Sequence, residues 1–280
     1  MARSSTTTWE NFKLSFKTGL DTALGRLYDY HNPVRKPAAV NGRIWATPTN
    51  LPSESPEPWA YFLHYFQTQG LGPTRNECMT TSAVMSMNIM EDRIASTYPE
   101  PIRYISNLML EDYIRELDAR GILGWNYRFS TGSPLPGMMT PWQAVIALRR
   151  HAAKLKVEYG KSYKVQLKSS RTLDDLVKDL TDGKIILIHG AWRIKLTDPN
   201  NSHLAFMGGM PHTMVLVGYD AADDEWIFLN PAEPWITNRK SHIASALYQM
   251  KTEKLITDFW GRKFLFYPPR FSITVLTPAP

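Results

Sequence analysis

The spacing of apolar residues changes along this chain of 280 residues, and that change limits the fold more than any other feature. Before about residue 160 the apolar residues recur every three or four positions, which is typical of helices. After it they alternate, as in Tyr163, Val165 and Leu167, which is typical of strands. Helices first and antiparallel strands later predict an α+β fold. The predicted helices cover 9–30, 78–90, 106–121, 140–159 and 173–180, and the predicted strands cover 163–167, 185–188, 212–219, 226–229 and one or two segments of 263–276.

Proline marks the predicted domain boundary. Residues 31–58 contain six prolines, a density that forbids a long helix and favours an extended linker or wrapping arm. We therefore predict an N-terminal helix and proline-rich arm over residues 1–58, and a main domain over residues 59–280.

Composition and charge exclude several classes of protein. Hydrophobic residues make up 43% and charged residues 21%, which is ordinary for a globular chain. Lysine plus arginine exceed aspartate plus glutamate by 32 − 26 = 6, with a pI near 9.3, so the surface favours anionic partners. The basic residues are spread too thinly to predict specific nucleic-acid binding. Because no signal peptide or run of about 20 apolar residues is present, we predict a chain made soluble in the cytoplasm.

Cys78 is the single cysteine, which excludes an internal disulfide and a zinc site of paired thiolates. It stands where the predicted helix over 78–90 begins. The dipole and N–H groups of a helix start stabilise a thiolate, so we expect a lowered thiol pKa and a nucleophile. The alternative for a lone cysteine is a small buried apolar residue without chemistry.

His212 and Asn230 are predicted to meet on a hairpin. His212 opens one strand, Asn230 follows the next, and a turn rich in aspartate separates them. If Asp220 faces Asp224, then Met214 faces Asn230 and His212 lies diagonally beside it on the same sheet face. Asn230 would then orient the imidazole toward an incoming thiol, whereas a register shift of one residue would put the two side chains on opposite faces.

These segments together resemble papain-like cysteine peptidases, in particular the branch of the bacteriocin double-glycine leader peptidases. That branch carries a glutamine-containing stretch, a Cys-Gly-Pro-(Thr/Ala)-Ser-x-Ala-Met helix, a Gly-Lys-Pro-Val-like strand, the pattern His-x-Val-x-Val-x-Gly-Tyr-Asp, and a final Asp-Pro or Asn-Pro. The matching stretches here are Tyr65-Phe-Gln67, Cys78-Met-Thr-Thr-Ser-Ala-Val-Met85, Asp182-Gly-Lys-Ile-Ile-Leu-Ile-His189, His212-Thr-Met-Val-Leu-Val-Gly-Tyr-Asp220 and Leu229-Asn-Pro231, across residues 59–275.

The resemblance implies a papain-like fold, with a central helix packed on an antiparallel sheet, and a catalytic site that needs no cofactor and no metal. Cys78 would be the nucleophile, His212 the general base and then acid, and Asn230 the orienting residue. Gln67 would stabilise the oxyanion together with the backbone N–H of Cys78, and Gln69 is the alternative for that role. Met79 stands where the family has glycine.

The implied reaction is hydrolysis of a peptide or amide bond through a thioester acyl-enzyme. Mild basicity and the lack of disulfides suit a bacterial or phage enzyme that cleaves peptidoglycan peptides, released from the cell or carried by a virion. The alternatives are a silent papain-like scaffold that binds a partner or self-associates through residues 31–58, and an acyltransferase that uses the same residues.

Two further arrangements carry less weight. His189, His203 and His212 match no common metal-ligand spacing. Asp220 could replace Asn230 as the orienting residue, but its place in a turn favours a solvated turn residue.

Overall fold

The computed structural model describes ten ranges of the chain. The predicted helices over 9–30 and 106–121 lie outside these ranges. The described residues are 37, 42–47, 61–62, 65–66, 78–95, 141–168, 171–192, 210–232, 247–260 and 272–279.

Local sequence signals account for the helix starts. Helix α1 spans Cys78–Ala95, α2 spans Pro141–Tyr159 and α3 spans Leu173–Thr181. Pro141 opens α2, as predicted, because the N–H that proline lacks would have no partner at that position. Helix α3 begins with a capping box, in which the Thr172 hydroxyl accepts from the N–H of Asp175 and the Asp175 carboxylate accepts from the N–H of Thr172.

The described strands form one sheet of seven strands in which each pair is antiparallel, so the predicted fold class is confirmed. The bounds are β1 Arg43–Trp45, β2 Ser162–Lys168, β3 Ile185–Trp192, β4 Met210–Asp220, β5 Glu225–Leu229, β6 Leu247–Lys251, α4 Thr252–Lys254, the π-helix Leu255–Phe259 and β7 Ser272–Ala279. The strand order is β2-β7-β3-β4-β5-β6, and β1 pairs with the C-terminal end of β4. The short helix α4 and the π-helix follow β6.

Strand β4 lies at the centre of the sheet, and residues 212–220 are all buried. Helix α1 packs against this strand, and the Ser82 hydroxyl donates to the backbone oxygen of Thr213 at 3.0 Å. This packing places the first turns of α1 against the start of β4.

Strand β1 belongs to the segment for which we predicted an extended arm. Its residues are extended, and they pair with β4 between Arg43 and Asp220 and between Trp45 and Gly218. The arm thus contributes a strand to the sheet ahead of the predicted boundary at residue 59. That boundary and self-association through residues 31–58 stay predictions.

Membrane spanning was searched for in the same described residues. None of their helices combines the length and the apolar character needed to cross a bilayer.

Candidate active site

The hairpin of β4 and β5 brings His212 and Asn230 together through a register that differs from the expected one. Asp220 faces Glu225, not Asp224, so the predicted pairing at the turn is wrong by one residue. Asp224 lies in the turn instead, with a positive φ of 55°. An irregularity between Leu216 and Gly218 then inserts one extra residue into β4. Beyond it Val215 faces Leu229, which is the predicted register at the end of the hairpin where Asn230 lies.

The His212 ring is held by the Asn230 carboxamide. Nε2 of His212 lies 2.8 Å from Oδ1 of Asn230, and the backbone N–H of Ala232 donates to the same Oδ1 at 3.1 Å. Because a backbone N–H can only donate, this atom must be the amide oxygen, and Nε2 must carry the proton it donates. In a neutral ring Nδ1 is then the hydrogen-bond acceptor.

Cys78 is the first residue of α1 and is partly buried. Ser82, one turn further along the helix, is bonded to Thr213, so the helix start is fixed at the strand position next to His212. Backbone and side-chain groups of Thr213 and the backbone of Met79 favour the charged form of the thiol and so act to lower the pKa of Cys78.

The thiol pKa moves in the direction opposite to the sequence-based expectation. Burial raises the pKa of Cys78 to about 11, and the hydrogen bonds from Thr213 and Met79 only partly oppose that rise. The expected lowering by the helix start is therefore wrong, because removing the thiolate from water costs more free energy than the hydrogen-bond donors around it return. The resting sulfur is a protonated thiol at neutral pH.

Burial acts on the imidazole as well. His212 is 3% exposed, and burial lowers its pKa to about 4, against the hydrogen bond to Asn230, which favours the charged form. The ring of Phe259 meets the His212 ring edge to face, at a centroid distance of 6.4 Å. The structure thus combines a neutral thiol with a neutral, shielded imidazole.

Gly190 supports this arrangement, since it pairs with His212 and contacts Phe259. A Cβ at Gly190 would lie 2.9 Å from the Phe259 backbone oxygen and 3.0 Å from its carbonyl carbon, neither of which can rotate away. We expect Gly190→Ala to displace the π-helix and to lower the free energy of unfolding by about 2 kcal/mol or more. Urea unfolding measures this loss.

Gly160→Ala is the control for that measurement. Gly160 has a φ of +69°, and a Cβ added there would have no heavy atom within 4 Å, so only backbone strain of about 1 kcal/mol applies. A loss at Gly190 no larger than the loss at Gly160 would contradict the proposed crowding.

Other residues considered from the sequence have different surroundings. Gln67 and Gln69 lie outside the described residues, so both oxyanion assignments stay predictions. Asp220 is buried, not solvated: it pairs with Arg43 and accepts from the N–H of Ala222 at 3.0 Å, which makes it a turn-stabilising residue.

The described residues include only two of the three histidines considered as a metal site, His189 and His212. Nδ1 of His189 lies 2.8 Å from the Thr213 hydroxyl, and His203 lies outside the described residues. Within the described part of the chain no group of three or more His, Cys, Asp or Glu side chains is arranged to hold a metal ion.

Three residues of this region were missed by the sequence analysis: Thr213, Phe259 and Gly190. Thr213 follows His212 directly, and its importance depends on pairing with His189, which could be proposed only if the register of β3 and β4 were known. Phe259 is 47 positions after His212 in a segment without a clear periodic pattern, so no sequence signal connects it to the site.

Comparisons with known proteins place the chain in a family. The model of the peptidase C39-like family matches residues 60–255, which is more than half of the chain. Among solved structures, the chain is similar to xylellain, a cysteine protease from Xylella fastidiosa, with 12% identity, a TM-score of 0.42, and coverage of 90% of this chain and 93% of that chain. No curated protein sequence matches the chain.

Proposed function

The chain belongs to the peptidase C39-like family and is a cysteine peptidase, and from this premise we propose that Cys78 is its nucleophile, His212 its general base and Asn230 the residue that orients the base. The observation that carries the proposal is the hydrogen bond from Nε2 of His212 to Asn230. It makes Nδ1 the basic atom of the ring. The bond between Ser82 and Thr213 holds the helix that begins with Cys78 against the strand that carries His212.

The pKa values favour attack by a thiol that loses its proton during the step. Since the pKa of Cys78 is about 11 and that of His212 about 4, the resting pair is neutral and no ion pair is preformed. The sulfur attacks the carbonyl carbon of the peptide while its proton passes to Nδ1 of His212. The imidazolium so formed is stabilised by the Asn230 oxygen.

The tetrahedral intermediate carries its negative charge on the former carbonyl oxygen. The N–H of Cys78, as a first-turn donor without an intrahelical acceptor, and the side chain of Gln67 or Gln69 would stabilise this charge. Collapse breaks the C–N bond, and His212 returns the proton to the departing amine. Water, activated by His212, then attacks the thioester, which releases the carboxylic acid and restores the thiol.

A peptide of the bacterial cell wall is the substrate class we favour. The support is the net charge of +6, because peptidoglycan and its attached polymers are anionic and a basic enzyme concentrates on such a surface. Attraction of this kind weakens with salt, since the Debye length falls to about 8 Å at 0.15 M ionic strength.

The test is mass spectrometry of the full-length protein after incubation with a library of linear peptides and muropeptides. We expect an acyl adduct on Cys78, together with cleaved peptides that identify the scissile bond. Because the chain has one cysteine, any thioester adduct is assigned without ambiguity. Cleavage of muropeptides that falls with added salt would support the wall substrate, whereas salt-independent cleavage of linear peptides only would contradict it.

Two variants control this experiment. Cys78→Ala should yield neither adduct nor cleavage, whereas Ser86→Ala, two turns along α1 and bonded to the backbone of Ser82, should retain both. Product that forms only when a primary amine is added would indicate acyl transfer in place of hydrolysis. Intact substrate with every variant, and no adduct, would favour the silent scaffold.

A further inference from the structure

A second histidine, which the proposed mechanism does not use, lies on the strand next to β4. His189 lies on β3 directly opposite Thr213 of β4, and it is 5% exposed. Its Nδ1 lies 2.8 Å from the Thr213 hydroxyl, whose residue is completely buried. Polar side chains are buried this deeply only when they have hydrogen-bond partners, and these two side chains are partners of each other.

Thr213 connects this histidine to the nucleophile. Its backbone oxygen accepts from Ser82, which lies four residues after Cys78 on the same face of α1, and this bond fixes the helix start against the strand. The Thr213 side chain also acts to lower the pKa of the Cys78 thiol. The hydroxyl thus lies between the start of α1, to which Thr213 is bonded through Ser82, and the His189 ring on β3.

We propose that Thr213 donates a hydrogen bond to the Cys78 thiolate and that His189 is the positioning residue that keeps this hydroxyl turned toward the sulfur. The inference rests on the proposed role of Cys78 as nucleophile. It is distinct from the role of His212, because His189 neither takes nor returns the proton of the reaction.

The direction of each hydrogen bond follows from proton counting. A thiolate can only accept, so the single hydroxyl proton of Thr213 must point to the sulfur. The hydroxyl oxygen then accepts, and its donor must be Nδ1–H of His189. A neutral ring suffices for this donation, and burial lowers the pKa of His189 to about 3, so the ring stays neutral wherever a peptidase of neutral pH works.

Burial raises the free energy of the charged thiolate, and we expect the hydrogen bond from Thr213 to offset part of that increase. A hydrogen bond to a charged group is roughly twice as strong as one between neutral groups, and burial keeps bulk water from competing for this hydroxyl. The chain from His189 through Thr213 would lower the free energy of the thiolate at the moment of attack, when the proton has passed to His212.

The experiment is the pH dependence of Cys78 alkylation by iodoacetamide, measured by mass on the full chain. Thr213→Val keeps the shape and removes the hydroxyl, and we expect alkylation at pH 8 to slow by roughly tenfold, with the profile moved to higher pH. Thr213→Ser keeps the hydroxyl and should remain within about twofold of the unaltered protein. If the valine variant does not fold, Thr213→Ala removes the same hydroxyl without adding an apolar branch.

The role of His189 is tested by comparing its variants in the presence and in the absence of the Thr213 hydroxyl. His189→Leu should slow alkylation severalfold, and His189→Asn, whose amide can donate from about the position of Nδ1, should restore most of the rate. In the Thr213→Val background, His189→Leu should have no further effect, because its action passes through the hydroxyl. A purely structural role would reduce the melting temperature without moving the pH profile.

The outcomes separate this inference from the proposed function. An unchanged alkylation profile in Thr213→Val, or equal slowing by His189→Leu in both backgrounds, overturns the inference while peptide hydrolysis by Cys78 stands. Full hydrolysis by a Cys78→Ala variant would instead overturn the proposed function, and the alkylation profile would still report whether Thr213 stabilises the thiolate.

Discussion

His212→Ala is expected to reduce peptide hydrolysis by about 10⁴-fold, because it removes both the group that takes the thiol proton and the group that protonates the leaving amine. The effect is large here since the thiol pKa of about 11 leaves almost no thiolate at neutral pH to attack unaided. Steady-state hydrolysis of the peptide identified by mass spectrometry measures the loss. Activity of His212→Ala within tenfold of the unaltered enzyme would contradict the assignment.

Asn230 provides a graded comparison on the same ring. Asn230→Ala leaves the imidazole in place but removes the acceptor of Nε2–H, so we expect an intermediate loss of roughly 10²-fold from misplacement of the ring. Asn230→Asp keeps an acceptor for both His212 and the N–H of Ala232, and adds a negative charge that favours imidazolium.

The pH dependence of hydrolysis distinguishes the role of His212 as general base from the role of Asn230 as the orienting residue. A general base must be neutral, and the pKa of His212 is about 4, so activity should fall as pH drops through about 4. In Asn230→Asp the raised pKa of His212 should move this acid limb to higher pH. An acid limb that stays in place would mean that the group titrating there is not His212.

The sequence allowed the elements around this site to be predicted where a local signal exists. The Thr140-Pro141 pair predicted the start of α2, and the apolar run after Cys78 predicted α1. The hairpin was predicted from two apolar runs around a turn rich in aspartate. Each of these signals lies within a few residues of the feature it specifies.

The register of that hairpin could not be predicted in full, for a physical reason. All residues from 212 to 220 are buried, so both faces of β4 are covered and its sequence lacks the alternation that would reveal an inserted residue. The extra residue near Val217 therefore cannot be recognised in the order of apolar and polar residues. It nevertheless determines on which face of the sheet His212 lies relative to the residues at the turn.

The direction of the pKa shift of Cys78 also could not be predicted from the sequence. A cysteine at a helix start indicates a lowered pKa only if water or cations reach the sulfur, and the depth of burial depends on packing between segments far apart in the chain. The pairing of His189 with Thr213 is of the same kind, because 17 residues separate β3 from β4 and no short turn fixes their register.

Acidification is expected to destabilise the protein well before its carboxylates are protonated, because two buried histidines are held neutral. Burial lowers the pKa of His212 to about 4 and that of His189 to about 3, from an ordinary value of 6.5. Below pH 6.5 these two histidines therefore bind protons in the unfolded chain but not in the folded chain. As a result, the free energy of unfolding falls as pH drops from 6.5 toward 4. Each histidine contributes on the order of 3 kcal/mol to this loss, a large part of the roughly 5 to 15 kcal/mol typical of a folded domain.

The carboxylates act in a lower window and with the same sign. The Asp179 pKa is lowered by hydrogen bonds and charges from Lys184 and Arg171, against an opposing effect of burial, so its contribution is complete above its ordinary value of 3.8 and is lost only below it. Urea unfolding at pH 8, 6 and 5 separates the histidine effect from that of Asp179, which stays charged throughout this range.

The matched variants for this measurement are His189→Gln and His212→Gln, which keep a polar side chain and remove the titration. Each should be less stable than the unaltered protein at pH 8, yet lose less stability between pH 8 and pH 5, so the two curves converge as pH falls. Since protonation of either histidine disfavours protonation of the other, each replacement also removes this repulsion, so the reductions in pH dependence caused by the two single replacements should add up to at least the total. Parallel curves for both variants and the unaltered protein would show that these rings are charged or solvated in the folded state, and would remove the basis for a neutral imidazole as the general base.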